Sequence, residues 1–419
     1  MLSDKKTSKL MNYFLIIATL IFSGSYLLVV ELPTEWLRLG LVAIFGVYCL
    51  YIGKISMKFL PTKYLIVYSV FFFLTLIVNY KTETFTGYVG TLLPLCFAYL
   101  VALIVPWDDF KKTYVNVMVV FTIIAVVMYY FGTDFVLKYG KPLQNIQSGK
   151  IYYSILVYSY VPATPRNCGF FWEPGLFSTA LVYAIILLNQ KALSVKSLIY
   201  NVILVFGIVS TKSTAGYVLI PIAYVYVFST RLQRDNKYYK QILIALLVIL
   251  FIGTLCFIFL DKIIYGLNLE NVRVFQKLLR ENLIKNPRVI AVQENLKYFT
   301  QYFAFGTGRA KGYELMKELD CYDTATAFVM LSRYGICGIT YTVMMMHAIK
   351  NARNISAISK VLLFMLAFLL VNKEPNYSYV LSWALFFYML NKEKMYNKKT
   401  ERLCEITEIK QIEEQQQRD

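Results

Sequence analysis

The chain has 419 residues, 58% of them hydrophobic and 16% charged, with a mean hydropathy of +0.53. Soluble globular chains carry about 25% charged residues, so a water-soluble domain is excluded and a polytopic α-helical membrane protein is expected. The net charge of +18 belongs, in such a protein, to cytoplasmic loops under the positive-inside rule and not to nucleic-acid binding. His347 is the single histidine, so neither a histidine-cluster metal site nor Ser-His-Asp catalysis is expected.

Apolar runs lie near 11–30, 36–52, 64–79, 88–105, 114–131, 174–189, 194–210, 213–229, 242–260, 324–347, 358–372 and 375–390. These are about twelve candidate spans, since a helix crosses the hydrocarbon in roughly 17–25 residues. The first run, Met11–Val30, is too long for a signal-peptide core and lacks a small-residue cleavage site, so it is read as the first spanning helix. With Lys5, Lys6 and Lys9 cytoplasmic, the links carrying Lys54/Lys58/Lys63, Lys111/Lys112, Lys191/Lys196, Arg231/Arg234/Lys237/Lys240 and Lys350/Arg353/Lys360 all fall inside. The outer short links then carry one cation each: Arg38, Lys81, Lys212 and Lys373. Both termini are expected in the cytoplasm, with Trp36, Trp107 and Trp172 at helix ends, where interfacial belts place indoles. The chain reads as one transmembrane domain, 1–390, followed by a polar cytoplasmic tail, 391–419. No CxxC spacing occurs; Cys49, Cys96, Cys256 and Cys337 lie inside apolar runs. Cys168 and Cys321 would both face outward, which leaves a disulfide between them open.

Two connections are long, about 132–172 and 261–323, and both fall on the outer side. Long loops in compact proteins are usually functional or disordered. In the second, Pro287 opens a stretch with Val289, Val292, Leu296, Phe299 and Phe303 at helical spacing. That pattern predicts an amphipathic helix along the membrane surface, stopped at Phe305-Gly306-Thr307-Gly308.

The first loop ends in Pro165-Arg166-Asn167-Cys168-Gly169-Phe170-Phe171-Trp172-Glu173-Pro174-Gly175, which places an arginine and a glutamate where a loop meets the membrane. Arg166 offers a planar fork of donors suited to two phosphate oxygens, or else snorkels to lipid headgroups. Glu173, just before Pro174, is a cap residue of the sixth spanning helix, a general base, or an orienting partner for a cation. Arg288 follows Pro287 on the surface helix and is either a solvated face charge or part of a site. Lys212, in Ser210-Thr211-Lys212-Ser213, tops a helical hairpin with Ser213 as its N-cap. Gly306-Thr307-Gly308-Arg309 has the composition of a backbone nest for phosphate oxygens. Arg333, inside the tenth run, needs a cavity or a partner helix. Asp108-Asp109 reads as a surface turn and His347 as a helix-end residue.

Arginine, Gly-Phe-aromatic-Glu-Pro-Gly, a Ser-Thr-Lys-Ser hairpin, a long loop with an arginine before Gly-x-Gly, and Tyr334-Gly335-Ile336-Cys337-Gly338 follow one another in this order. The order resembles the O-antigen and capsular polysaccharide polymerase family (Wzy-type), within the wider O-antigen ligase superfamily, over residues 165–340. The resemblance implies an all-α, GT-C-like membrane glycosyltransferase with no cofactor and no metal. It would join undecaprenyl-diphosphate-linked oligosaccharide repeats on the outer face of a bacterial cytoplasmic membrane. The family's two loop arginines fall on Arg166 and Arg288, which with Glu173 form the expected catalytic set. Lys212, Gly306, Gly308, Arg309, Arg333 and Trp172 are the expected substrate-binding residues. Phe170, Phe171 and Trp172 would stack on sugar rings or hold the lipid tail. The implied partners are the lipid-linked oligosaccharide, membrane lipid, a chain-length regulator and a flippase. Where the ligase branch keeps a histidine, this chain has Asp320-Cys321-Tyr322-Asp323-Thr324, a departure that favours polymerase over ligase. A lipid-linked oligosaccharide flippase or other transporter, and a ligase, stand as alternatives.

Overall fold

A computed structural model describes residues 8–29, 34–56, 59–81, 85–145, 149–163, 165–188, 194–232, 287–319, 325–352, 355–373 and 379–390. The expected ninth run, 242–260, the loop segments 261–286 and 320–324, and the tail lie outside these residues. The structure is 77% helical. Its first half comprises α1 (Lys9–Ile21), α2 (Thr34–Tyr51), α3 (Leu60–Val78), α4 (Phe85–Ile104), α5 (Trp107–Phe131) and α6 (Thr133–Tyr139). Three strands follow, β1 (Lys141–Gln144), β2 (Ile151–Ile155) and β3 (Tyr158–Tyr160), then α7 (Pro174–Leu188), α8 (Val195–Ser210) and α9 (Thr214–Leu232). The second half comprises α10 (Pro287–Gln301), α11 (Arg309–Glu318), α12 (Thr326–Tyr334), α13 (Ile339–Lys350), α14 (Ala357–Asn372) and α15 (Val380–Leu390).

Among the described residues four stretches, Leu60–Val78, Gly87–Ile104, Trp107–Phe131 and Thr326–Lys350, are long and apolar enough to cross a membrane. Their outward faces are those of lipid-facing helices. On α5 the exposed large hydrophobics are Val120, Ile123, Val127, Tyr130 and Phe131; on the shorter α8 they are Val195, Leu198, Ile199, Val202, Phe206 and Val209. So many exposed large hydrophobics are rare on monomers in water and consistent with a membrane protein. Inside the helices, Thr19, Thr75 and Thr122 return their hydroxyls to the carbonyl four residues earlier, at 2.6–3.0 Å, so these three hydroxyls do not face hydrocarbon bare. Ser8, Ser194 and Ser356 cap α1, α8 and α14 by accepting from the third helical amide, each worth about 1 kcal/mol.

Contacts sort the helix ends into two groups. At one end Asn12 meets Asp109, the Tyr64 hydroxyl meets His347 Nδ1 at 2.9 Å, and Ser229 meets Ser359. At the other, the turn after α1, the start of α7 and the ends of α8 and α14 meet; this is the loop end below. Helix α7 runs through the middle with Pro174 and Leu176–Leu187 all buried, the pattern of a helix that is apolar all round and enclosed by others. Helices α5, α8 and α9 pack around it, and the Tyr114 hydroxyl donates to Ala180 O at 2.9 Å.

Three expectations are corrected. The first long connection is not loop throughout: within this mostly helical structure, 141–144, 151–155 and 158–160 form an antiparallel β1–β2–β3 sheet, with Tyr153 opposite both Pro142 and Tyr160. The first helix stops at Ile21, because the chain turns at Ser23-Gly24 and Ser25 pairs with Phe171 in an isolated antiparallel bridge. Cys168 is a free, buried thiol, and Cys321, its candidate disulfide partner, lies outside the described residues. The tenth run is two helices, not one. At Gly335 (φ +59°) the chain breaks into a 3₁₀ turn, and the Ile336 amide bonds Phe303 O at 2.8 Å. A Cβ at Gly335 would sit 2.5 Å from that carbonyl, so only glycine allows the approach.

Candidate functional site

The segment 165–173 lies between the sheet and α7 and is bonded on every side. Asn167, fully buried, is its anchor. The Asn167 amide donates to Ala125 O (3.3 Å) on α5 and to Ser210 Oγ (2.8 Å) at the end of α8. Its own carbonyl oxygen accepts the Gly169 amide at 2.9 Å, closing a local Asx turn. From the sheet, Ser159 N–H donates to Gly169 O (2.9 Å), and the Tyr152 hydroxyl donates to Trp172 O (2.9 Å). From the turn after α1, Tyr26 N–H reaches Phe170 O (3.2 Å), while Trp172 N–H donates to Gly24 O (3.1 Å). The strand-like pairing of Gly24–Tyr26 with Phe170–Trp172 is what the early end of α1 makes possible.

Arg166 and Glu173 emerge half-buried at the two ends of this clamp. The Glu173 carbonyl accepts the Phe177 amide at 3.3 Å, which puts Glu173 at the N-cap of α7, as expected, beside the positive end of the helix dipole. Between them, Cys168 feels the Arg166 and Glu173 charges together, and burial pushes its thiol up to about 12. Lys212, at φ +49° in the α8–α9 turn, lays its ammonium 5.8 Å from the Tyr129 ring centre. The Tyr129 hydroxyl donates to Pro165 O at 3.2 Å. A hydrogen bond to Tyr129 raises the Lys212 pKa, so this ammonium is charged across the physiological range. Ser213 caps α9 as expected, accepting the Gly216 amide at 3.4 Å. Arg166, Lys212, Trp172 and Glu173 therefore share one neighbourhood.

The aromatic run divides. Phe170 and Phe171 are buried, packed on Tyr26, Phe121 and Phe177 with ring centres 5.3–5.9 Å apart. The expectation that they stack on sugar or lipid is corrected: their faces are spent on the fold. Trp172 stays half-buried, and its Nε1–H has no acceptor among the described residues.

A second group forms where α10, α11 and α12 meet. Helix α10 begins at Pro287 as expected and packs on α12, with Asn295 Oδ1 accepting from the Ser332 hydroxyl, while Ala291 packs with Met316 of α11. The expected apolar face is only in part a packing face, since Leu296 and Phe303 stay exposed. Arg288 is exposed on the first turn of α10. Arg333 is 2% exposed and lies under α11, where Gly312 closes against its side chain. Arg309 bonds Gly87 O at the start of α4. The nest expected at Gly306–Gly308 is corrected. The amides of Gly306, Thr307 and Gly308 donate to Tyr302 O, Ser332 O and Arg333 O at 2.8–3.0 Å, which leaves none of the three for a phosphate.

Sequence reading missed Arg38, treated there as a lone charge in a short link. It is 6% exposed, with the face of Phe22 4.9 Å from its guanidinium carbon. The signal was present: Arg38, Val42, Phe45 and Cys49 follow the i, i+4, i+7, i+11 spacing of one helix stripe, and three of the four are apolar. No protein-family model matches the chain, and no curated protein matches it.

Proposed function

We propose that the chain is a membrane glycosyltransferase that polymerises undecaprenyl-diphosphate-linked oligosaccharide repeats at the loop end, which faces outward. The reading rests on the clamped segment 165–173, which carries Arg166 at one end and Glu173 at the other, at the start of the central helix, with the Lys212 ammonium over the Tyr129 ring and the Tyr129 hydroxyl on Pro165 O. A diphosphate leaving from an anomeric carbon develops negative charge, and fixed cations aimed at that charge lower the barrier by several kcal/mol in comparable sites. Arg166 and Arg288 take the diphosphate in this scheme, with Lys212 adding positive field. Glu173 removes the proton of the attacking hydroxyl. The indole of Trp172 offers a sugar-facing surface. Arg309 and Arg333 hold the second segment in place. A chain-length regulator and a flippase would act beside it, supplying and limiting the repeats.

The test is a purified, lipid-reconstituted protein incubated with undecaprenyl-diphosphate-linked repeats and resolved on a gel. A ladder that stays on the lipid carrier is expected. Transfer to a second acceptor makes the protein a ligase, and movement of unextended repeats across the bilayer makes it a flippase; either outcome overturns the proposal.

A further inference from the structure

On the first two turns of α2, Glu35, Trp36, Leu37 and Leu39 are exposed, and the residue turned inward is Arg38. A buried arginine ordinarily meets a carboxylate or a set of carbonyls, because an unpaired charge away from water is costly. Among the described residues the Arg38 Nε–H has no acceptor; the guanidinium lies on Phe22 and feels the charge of Glu35 one turn earlier. A cation–aromatic contact offsets only part of that cost.

The surroundings contain further donors. Phe22 opens the turn Phe22–Ser25. In that turn Ser25 Oγ is buried without a partner among the described residues, and Trp172 Nε1, also without one, lies 3.4 Å from where a Cβ on Gly24 would stand. Gly24 O and Trp172 N–H are bonded, so the turn is continuous with the residue preceding Glu173. On the other side, Glu35 lies against Gly90, one turn from the Gly87 carbonyl that Arg309 holds. Arg38 thus stands between the clamped segment 165–173 and the second group of cations.

We infer that Arg38 binds an anion, of the phosphate or diphosphate class, with the Trp172 indole N–H and the Ser25 hydroxyl as neutral donors beside it. Resting on the function proposed above, the inference assigns the lipid diphosphate a cation on α2 in addition to the two loop arginines. A fork of guanidinium donors suits two oxygens of one phosphate, and indole and hydroxyl donors add direction without adding charge.

The test measures thermal stabilisation of the purified full-length protein by farnesyl diphosphate, farnesol and inorganic diphosphate. It compares wild type, Arg38→Met, Arg38→Lys and Trp172→Phe. The wild type is expected to gain stability with farnesyl diphosphate and not with farnesol. Arg38→Met is expected to bind farnesyl diphosphate about 10- to 100-fold more weakly, with Arg38→Lys and Trp172→Phe in between. Without ligand, Arg38→Met is expected to melt at or above the wild-type temperature, since an apolar side chain replaces a buried charge whose Nε–H has no acceptor among the described residues. If Arg38→Met retains the ligand shift, or melts several degrees lower or fails to fold, Arg38 is structural, and this inference falls while the polymerase proposal stands. Stabilisation by inorganic diphosphate alone, lost in Arg38→Met, upholds the anion site and removes the lipid diphosphate. No stabilisation of the wild type by any of the probes overturns both.

Discussion

Asn167→Ala is the substitution that most directly probes the clamp. The buried amide makes two donated bonds, to Ala125 O and Ser210 Oγ, and accepts one, from Gly169 N–H. Truncation strands the Gly169 amide, at about 1–3 kcal/mol, and removes two bonds of about 0.5–1.5 kcal/mol each, for a local loss near 3 kcal/mol. At 1.4 kcal/mol per tenfold, the open population of the segment rises about 100-fold. The adjacent Cys168 reports it. This thiol is 1% exposed, and its pKa is raised to about 12, so the closed segment offers almost no thiolate to a reagent. The assay is maleimide labelling near neutral pH in a protein whose other cysteines, at 49, 96, 256, 321, 337 and 404, have been replaced. With opening fast relative to labelling, the rate tracks the open population. Ser210→Ala, which removes one bond, should speed labelling about fivefold to tenfold. An Asn167→Ala rate within threefold of its parent would refute the clamp.

Two further substitutions test the packing around the site. Gly335→Ala should lower the melting temperature in detergent far more than Gly53→Ala, although both glycines have positive φ, because only Gly335 meets backbone within 3 Å. The second change should cost about 1 kcal/mol. Lys373→Met should destabilise by about 2–3 kcal/mol, because the buried ammonium bonds Gly175 O at 2.9 Å and Ser178 Oγ at 2.5 Å and so ties α14 to the first turn of α7. Thermal melting reads that loss, and an unchanged transition would show the contact to be idle.

The helices were legible because spans of similar length recur as apolar runs. The apolar runs overlap helices wherever residues are described, although the first helix ends at Ile21 and the tenth run breaks at Gly335. Local chemistry was equally readable. Glu173 before Pro174, Ser213 before α9 and Pro287 at the start of α10 all mark helix starts. The sheet was hidden because Lys141–Tyr160 is polar enough to read as loop, although Ile151–Ile155 and Tyr158–Tyr160 carry the β-branched and aromatic residues of short strands. The break at Gly335 was hidden for another reason: hydropathy continues through Gly335-Ile336-Cys337-Gly338, and only the docking of Phe303–Gly308 requires the turn. The same docking consumes the Gly306–Gly308 amides, a tertiary fact that no spacing reveals. Arg38 was missed because a charge near a helix end was assigned to the link and not to the inward stripe it begins.

The most direct measurement of the central claim is the initial polymerisation rate of Glu173→Gln and Arg166→Ala on saturating undecaprenyl-diphosphate-linked repeats, beside wild type. The account expects Glu173→Gln to lose about 10²–10⁴-fold with the protein folded and donor binding retained, and Arg166→Ala to lose both rate and donor affinity. Wild-type rates in both variants would place the chemistry elsewhere in the chain.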